Sequence, residues 1–280
     1  MSYKDILVLL DERSSSKPRM DAAISLSRRF DAHLTGLWIA AEAAIPGFVA
    51  SQLTNAAQEA RRSARQEAIA AAQKDFETAC SKAGIRSEWR DAVVLSGDES
   101  PTIKRHVRYC DLVIAGQPDL ENSTADERQL LEDLLIGCGR PVLVVPSIGV
   151  LSDVGQRIMV AWDSGREATR AVADALPLLR EAKEVEVVTV DARRSVDAHG
   201  EEPGADIARH LVRHDVKTKV AQLKRGPLTI GDLLLNRVAD NGYDLIVMGA
   251  YAHSRLRELV LGGVTKHMLR HMTVPIFTAH

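Results

Sequence analysis

Two segments in the second half of the chain carry residue types that can bind phosphate. Asp163 follows the apolar run 158–162, and Gly249 is followed some residues later by Gly262-Gly263-Val264-Thr265. Glycine lets backbone N–H groups approach a phosphate closely, and a helix that begins near Thr265 would direct its positive end toward the same place. Short glycine patterns are only weakly specific, so the alternative that Gly249 ends a strand and 262–263 form a plain turn stays open.

The remaining candidate constellations are weaker. His210 and His214, like His267 and His271, are four residues apart and would face one side of a helix, but neither pair has the glutamate of an HExxH zinc site. A solvated helix face is the favoured interpretation of both pairs. The segment at Gly262 is not a Walker A loop, since the Gly-Lys-Ser/Thr order is missing. We therefore predict no metal site and no catalytic residue.

Length and composition limit the classes of protein to consider. The chain has 280 residues, which favours two domains of roughly 150 residues each. Lys and Arg total 36 against 38 Asp and Glu, and aromatic residues make up 4%, so neither a basic nucleic-acid surface nor a base-stacking platform is expected. No apolar run approaches the ~20 residues of a membrane helix, and the N-terminus lacks the basic region and cleavage site of a signal peptide. Three cysteines without a CxxC pair fit a reducing compartment, so we expect a cytoplasmic protein with neither nucleic-acid nor membrane partners.

An internal repeat organises the chain. Three segments of the first half recur in the same order in the second half, and two diverged copies of one module explain this. The matched segments are Ile6–Asp11 with Ile158–Asp163, Asp111–Gly116 with Asp244–Gly249, and Arg140–Val144 with Val274–Thr278. A stretch near 146–156 with Pro, Ser, Gly and Asp indicates a linker. We therefore predict one domain at residues 1–148 and a second at residues 155–280.

Each copy alternates strands and helices. Short runs, most of them strongly apolar, predict strands, and the apolar runs are expected to be buried on both faces. These runs are Ile6–Leu10, Leu34–Ile39, Arg86–Val94, Leu112–Ala115, Val142–Val145, Ile158–Trp162, Val185–Val190, Val216–Leu223, Leu245–Met248 and Pro275–Thr278. Helical spacing or alanine content predicts helices at Met20–Arg29, Asn55–Ala79, Ala168–Arg180 and Ile230–Val238. The alternation predicts an α/β fold with two separate doubly wound, mainly parallel five-stranded sheets, one per repeat.

The pattern Gly249-x2-Ala252 followed by Gly262-Gly263-Val264-Thr265 resembles the phosphate loop of the universal stress protein family. The ATP-binding members of that family use G-x2-G-x9-G-(S/T), whose positions fall here on Gly249, Ala252, Gly262 and Gly263. The family's aspartate after the first strand falls on Asp163, and on Asp11 in the first copy; its closing strand falls on 140–145 and 273–278. Each half of the chain resembles the family, and together the two halves make up nearly the whole chain. The resemblance therefore implies a tandem universal stress protein with sheets of that family's type.

The resemblance implies ATP or another adenine nucleotide as the ligand of the second copy. The residues expected to contact it are Ala161, Asp163, Val190, Gly249, Ala252, His253, Gly262, Gly263, Val264 and Thr265. It also implies an intramolecular pseudo-dimer of the two copies, with the closing strands 142–145 and 275–278 near the interface. Apolar strands at sheet edges need covering, and pairing with each other would cover them. Whether two whole chains form a homodimer, and which proteins they contact, stays open.

Two departures from the family pattern bear on affinity. Ala252 adds a Cβ where the chain passes the triphosphate, and Gly263 removes a hydroxyl donor although its N–H remains. In the first copy the position of the glycine pair reads Glu127-Arg128-Gln129. A carboxylate that faces phosphate is unfavourable, so we expect the first copy to be degenerate and any nucleotide to bind in the second.

The sequence therefore predicts a cytoplasmic stress-response protein that binds ATP weakly in its second domain. The alternative is a regulatory protein that has lost nucleotide binding and acts through protein contacts. ATP hydrolysis is disfavoured, because no general base is evident beside the phosphate loop and no magnesium-binding pair is evident either.

Overall fold

The computed structural model describes residues 2–11, 16–42, 54–95, 99–118, 123, 125–147, 153–192, 202–250 and 263–280. Its strands are β1 (Asp5–Leu10), β2 (His33–Glu42), β3 (Ser87–Leu95), β4 (Leu112–Gly116), β5 (Val142–Val145), β6 (Arg157–Ala161), β7 (Glu184–Val190), β8 (Thr218–Leu223), β9 (Leu245–Gly249) and β10 (Ile276–Ala279). Its helices are α1 (Ser16–Phe30), α2 (Asn55–Ala83), α3 (Glu99–Val107), α4 (Ala125–Gly137), α5 (Arg166–Glu181), α6 (Ala205–Arg213), α7 (Ile230–Asn241) and α8 (Gly263–His271). The ten predicted strands and four predicted helices are all present, with ends shifted by a few residues.

Local sequence explains where these elements form. The first four side chains of β9, at 245–248, are all buried, as expected for a strand covered on both faces. The side chains that α5 buries, among them Ala168, Val172 and Leu179, recur at helical spacing. Helix α2 begins after Thr54, whose side chain accepts a hydrogen bond from the N–H of Ala57, and ends at Gly84, which has a φ of 68°. Among the residues described here, no helix is both long and apolar enough to cross a membrane.

The strands form one continuous ten-stranded sheet in the order β3-β2-β1-β4-β5-β10-β9-β6-β7-β8. The neighbours within each half are parallel, whereas β5 and β10 are antiparallel. The α/β class with a mainly parallel sheet is confirmed, but the expectation of two separate sheets is wrong. The closing strands pair with each other as expected, and this pairing joins the two sheets into one, because each strand otherwise leaves a row of unpaired N–H and C=O groups at its edge. The five described strands of each half stay together and in the same order.

The pairing of the closing strands places an approximate two-fold axis between the halves. Leu143 lies opposite Phe277, and these two residues occupy matching positions in the repeat. Their neighbours pair crosswise, Val142 with Thr278 and Val144 with Ile276. The two halves are therefore arranged as a pseudo-dimer within one chain. The backbone edges of β5 and β10 are occupied by their pairing with each other.

Helices cover both faces of the sheet and form two hydrophobic layers. One layer packs α1, α2, α5 and α6 against the sheet, and its buried residues include Leu26, Phe76, Ala171 and Leu211. The other packs α3, α4, α7 and α8 against the opposite face. Each layer contains residues of both halves, so the hydrophobic core continues across the junction.

A repeated aspartate fixes the start of the central strand in each half. The carboxylate of Asp244 accepts hydrogen bonds from the N–H groups of Gly155, Gln156 and Arg157 at 3.0, 3.0 and 3.1 Å. In the first half, Asp111 accepts from the N–H groups of Lys4 and Asp5 at 2.7 and 3.1 Å. Burial raises the pKa of Asp244, and the backbone hydrogen bonds offset only part of that effect. The aspartate that begins each Asp-Leu-(Val/Ile) motif is thus explained by strand packing.

Gln117 ties the first half to the second. This buried side chain donates from Nε2 to the carbonyl oxygens of Leu269 and Arg270 at 2.9 and 3.2 Å, and its Oε1 accepts from the N–H of Ser147 at 3.1 Å. Gln117 therefore donates to carbonyl groups in the last turn of α8, for which the helix itself provides no N–H donor. Tyr3 makes a second link, because its hydroxyl donates to the carbonyl oxygen of Asp174 at 2.7 Å.

We expect Gln117→Ala to lower the free energy of unfolding by about 1–3 kcal/mol, because it leaves buried carbonyl and N–H groups unpaired. Gln129→Ala is the matched control, since Gln129 is exposed and its amide donates to Asp133 of the same helix, at 2.9 Å. That control should change stability by less than about 0.5 kcal/mol. Urea denaturation followed by circular dichroism measures both. Equal effects of the two substitutions would show that Gln117 does not stabilise the junction.

Candidate functional site

Three neighbouring strands of the second half, β6, β7 and β9, end side by side. Their carboxyl ends form one rim of the sheet, which we call the carboxyl edge. Ala161, at the end of β6, pairs with Val188 of β7 and Met248 of β9. Val190 ends β7 and Gly249 ends β9 at the same edge. In an open parallel sheet this edge is where ligands bind. The structure therefore places Ala161, Val190 and Gly249 at this edge.

Asp163 lies in the tight turn between β6 and α5. Its Oδ1 accepts a hydrogen bond from the N–H of Gly165 at 2.8 Å, and Ser164 between them has a φ of 60°. Gly165 is the N-cap residue of α5 and makes no side-chain capping bond. Asp163 is exposed, so its carboxylate both organises the turn and faces the solvent at the carboxyl edge.

Gly249 is required by packing. A Cβ at this position would lie 2.6 Å from the backbone nitrogen of Ala168 and 2.8 Å from the carbonyl carbon of Glu167. Real Cβ atoms do not approach backbone so closely, so α5 could not keep its place over a larger residue. The interpretation of Gly249 as a strand end thus has a concrete physical reason, whether or not a phosphate binds beside it.

Helix α8 begins at Gly263, two residues earlier than the predicted start near Thr265. The first N–H groups of a helix have no acceptor within it, and α8 runs between the parallel strands β9 and β10, which places its N-terminus on the side of the carboxyl edge. A Cβ at Gly263 would have no atom of the described chain within 4 Å. Val264 is partly buried and Thr265 is buried. Ala252, His253 and Gly262 lie outside the described residues.

A buried carboxylate at this edge was not found from the sequence. Glu167, in the first turn of α5, is 4% exposed, and one of its oxygens lies 2.5 Å from Nε of Arg166. Burial alone would raise the pKa of Glu167, but Arg166, the backbone and His280 outweigh it, so the pKa lies below its usual value. The group is therefore ionised near neutral pH and adds negative charge where α5 meets Gly249. The only sequence signal was an acidic residue in the first turn of a predicted helix, which is common.

The matching edge of the first half is occupied by an ion pair. Arg19, 5% exposed, donates to Asp11 Oδ2 at 2.7 Å, to the carbonyl oxygen of Leu9 at 2.8 Å and to Ser16 Oγ at 3.0 Å. A Cβ at Gly116 would lie 2.8 Å from Nε of Arg19. The first half thus places a side chain against Gly116, where the second half places the backbone of α5 against Gly249. Sequence reasoning missed Arg19, because one arginine in a polar stretch carries no signal.

A cavity of about 210 Å³ lies at this edge of the first half. Its rim includes Asp11, Gly116 and Glu127, whereas Arg128 and Gln129 are exposed and point elsewhere, Arg128 to Ser123 and Gln129 to Asp133. Of residues 127–129, Glu127 therefore lines the cavity, together with Asp11. The sequence directed attention to the second half, where residues 251–262 lie outside the described residues.

His210 lies in the last turn of α6 and His214 is the residue that ends this helix, whereas His267 and His271 both lie in α8. The ring centroids of His210 and His214 are 4.6 Å apart, as are those of His267 and His271. His267 Nε2 lies 2.9 Å from an oxygen of Asp232. Within the part of the chain that the structure describes, no group of three or more His, Cys, Asp or Glu residues is placed to hold a metal ion.

Residues 155–280 match the model of the universal stress protein family. A universal stress protein of Synechocystis sp. is 49% identical over 39 residues, a match that spans only 14% of this chain and 14% of that protein. The crystal structure of a universal stress protein from Archaeoglobus fulgidus DSM 4304 is similar over 98% of this chain and 95% of its own, with 16% identity and a TM-score of 0.72. A putative universal stress protein from Pseudomonas aeruginosa UCBPP-PA14 is similar over 98% of this chain and 92% of its own, with 17% identity and a TM-score of 0.61. At these identities the two structures show a shared fold.

Proposed function

Because the chain belongs to the universal stress protein family through residues 155–280, we propose that its second half binds an adenine nucleotide, with low affinity for ATP. The observation that carries this proposal is the first turn of α8 at Gly263, beside the carboxyl edge that holds Asp163 and Gly249. No atom of the described residues lies within 4 Å of the position that a Cβ at Gly263 would take. N–H groups at a helix start favour an anion such as phosphate. The fold and the family match are findings, and the binding of a nucleotide is the proposal.

Low affinity follows from three features of the second half. Gly263 lacks the hydroxyl that the family pattern supplies at its position, and Ala252 adds a methyl group to the loop. The ionised carboxylate of Glu167 adds negative charge at the same edge, although Arg166 offsets part of it. Each feature reduces the attraction for a triphosphate while leaving the backbone donors of α8 in place.

We propose further that the chain consists of two domains, residues 1–148 and 155–280, and that it works in the cytoplasm in the response to stress. The first domain is then a diverged copy whose edge is closed to triphosphate by Arg19, Asp11 and Glu127. Since β5 and β10 already pair with each other, a homodimer of whole chains would need a different surface.

The double change Ala252→Gly with Gly263→Ser should tighten ATP binding by about 10- to 100-fold, because one hydrogen bond to a charged group contributes roughly 1.5–3 kcal/mol. Isothermal calorimetry of the nucleotide-stripped protein and the double variant measures the difference. Asp11→Ala is the control, since Asp11 belongs to the first half, and it should leave ATP affinity unchanged. If neither the parent nor the double variant binds ATP, the proposal fails and the interaction-protein alternative is favoured.

A further inference from the structure

A second cavity of the first half lies at the amino ends of its strands, away from the cavity beside Asp11. Its volume is about 410 Å³, and three strands and the end of α3 line it. The polar residues of its lining include Asp5 of β1, His33 and Thr35 of β2, Glu88 and Arg90 of β3, and His106 of α3. Because it lies at the other ends of the strands, this cavity is separate from the cleft proposed for nucleotides and from the copy of that cleft in the first half.

Three side chains at this place are smaller in the first half than in the second. Strand register and the repeat match Thr35 with Glu186, His106 with Arg237, and Cys110 with Tyr243. His106 and Arg237 each directly precede the last buried valine of their helix. In the second half, a guanidinium nitrogen of Arg237 lies 2.7 Å from a carboxylate oxygen of Glu186. The first half lacks this ion pair, and a polar cavity remains between its sheet and α3.

The carboxylate of Glu88 is held by β2 and by its own strand. One of its oxygens accepts a hydrogen bond from the hydroxyl of Thr35 at 3.2 Å, and Arg90 forms an ion pair with the same oxygen. Its other oxygen lies 3.9 Å from Nε2 of His33, which is too long for a hydrogen bond. The charge of Glu88 is therefore largely balanced within the protein.

The remaining charges make the two ends of the cavity opposite in sign. At the β1 end, Asp5 is exposed, and among the described residues no cation pairs with its carboxylate. At the α3 end, burial and the charges of Arg90 and Arg105 all lower the pKa of His106. The two arginines thus make the α3 end positive, which favours an anionic group there.

The sheet sets the distance between the two ends. Strand β2 lies between β1 and β3, so the backbones of β1 and β3 are about 9.5 Å apart. Side chains at both ends occupy part of this distance. An amino acid with three methylene groups between its amino and carboxyl groups is therefore of suitable length.

We propose that this cavity binds a small zwitterion, with its ammonium group at Asp5 and its carboxylate at Arg90 and His106. The ammonium group finds a carboxylate acceptor at the β1 end, and the ligand carboxylate finds guanidinium and imidazole N–H donors at the α3 end. A molecule with only one of the two charges would contact only one end favourably. The proposal does not depend on nucleotide binding in the second half.

The test uses 4-aminobutanoate as the zwitterionic probe, with butylamine and butanoate as counterparts that each keep one charge. We expect the full chain to bind 4-aminobutanoate at pH 7 with a dissociation constant on the order of 0.1–1 mM, measured by NMR titration or calorimetry. Butylamine and butanoate should each bind at least about tenfold more weakly, because each gives up the hydrogen bonds to a charged group at one end. No saturable binding of 4-aminobutanoate, or equally tight binding of either counterpart, would overturn the proposal.

Two variants locate the probe. Asp5→Asn removes the charge at the β1 end and should lower the affinity for 4-aminobutanoate at least about tenfold. His106→Glu places a carboxylate at the α3 end and should weaken 4-aminobutanoate by a similar factor. Butylamine should bind to His106→Glu at least as tightly as to the parent, which a loss of folding would not allow.

Asp21→Asn is the matched control, since Asp21 is an exposed carboxylate of α1 that does not line the cavity. It should leave the affinity for 4-aminobutanoate unchanged. Unaltered binding in both cavity variants, or an equal loss in Asp21→Asn, would place the probe elsewhere and refute the assignment.

Discussion

Replacing Gly249 with alanine should lower the free energy of unfolding by about 3 kcal/mol or more, a large share of the stability of an ordinary domain. The added Cβ would meet the backbone of α5 at 2.6 and 2.8 Å, and backbone cannot turn away as a flexible side chain can. Helix α5 would have to move off the sheet and would lose the packing of its buried face. The turn at Asp163 would move with it, so any ligand site at this edge should also be disturbed.

Two other glycines provide a graded comparison. At Gly116, the matching position of the first half, a Cβ would meet the side chain of Arg19 at 2.8 Å. Arg19 would then have to give up part of its bonding to Asp11 and to the Leu9 carbonyl, at a cost of about 1–2 kcal/mol. At Gly263 a Cβ would meet no atom of the described residues within 4 Å, so Gly263→Ala should change stability by less than about 1 kcal/mol in either direction.

Urea denaturation of the three alanine variants, with circular dichroism as the readout, measures this order. The expected ranking of the losses is Gly249→Ala first, Gly116→Ala second and Gly263→Ala last. If Gly249→Ala is as stable as Gly263→Ala, then α5 is not held against Gly249 as closely as described. Gly249 would then have to be explained by ligand binding alone.

The regular part of the fold is predictable from short-range sequence information. Apolar runs such as 245–248 are typical of strands in a sheet covered on both faces, and the spacing of buried residues in α5 is typical of a helix that packs one face on such a sheet. Because the two halves resemble each other, an element predicted in one half is also predicted at the matching position of the other. The joining of the two sheets is not predictable in this way, because the bonds between β5 and β10 are made by backbone groups that every residue carries.

The site is less predictable than the fold for a similar reason. Gly249 fits a phosphate pattern equally well whether it faces a ligand or the backbone of α5, and only the structure shows the second contact. Arg19 and Glu167 acquire their roles through burial, and an isolated charged residue in a sequence is normally solvated. Glu186 carried a better signal, since it is a charged residue inside a run predicted to be buried. Such a residue requires an opposite charge from elsewhere in the fold.

Glu186 finds that opposite charge on α7. The side chain of Glu186 is 2% exposed, and Arg237 donates to both of its oxygens, from Nε at 2.9 Å and from Nη2 at 2.7 Å. Lys219 Nζ lies 3.7 Å from the same carboxylate. Burial raises the pKa of Glu186, but the hydrogen bond and charge of Arg237, with further help from Tyr243 and Lys219, outweigh burial and leave the pKa below its usual value. The first half has Thr35 at this position of the repeat, so the charged pair belongs to the second half.

Glu186→Thr should therefore lower the free energy of unfolding by about 3 kcal/mol at pH 7, because it leaves Arg237 without its partner in a largely dry place. The lower end of the usual range for a broken buried pair applies, since the side chain of Arg237 is 29% exposed. Glu184→Gln is the control on the same strand: Glu184 is more exposed and shares Lys219 and Arg157 as partners, so the loss should stay below about 1 kcal/mol.

The loss from Glu186→Thr should also depend on pH in one direction. A carboxyl whose pKa is lower in the folded than in the unfolded state stabilises the protein above the ordinary glutamate pKa of ~4.3, and this contribution disappears as the pH falls through the lowered folded-state value. The difference in unfolding free energy between the parent and Glu186→Thr should thus be full at pH 7 and shrink steadily below about pH 4.3. Urea denaturation at a series of pH values between 7 and 3 measures it, and the comparison with the parent cancels the titration of the other carboxylates. A difference that stays constant or grows on acidification would mean that Glu186 stabilises the sheet by its volume and not by its charge, since the loss of packed atoms does not depend on pH whereas the pairing with Arg237 requires an ionised carboxylate.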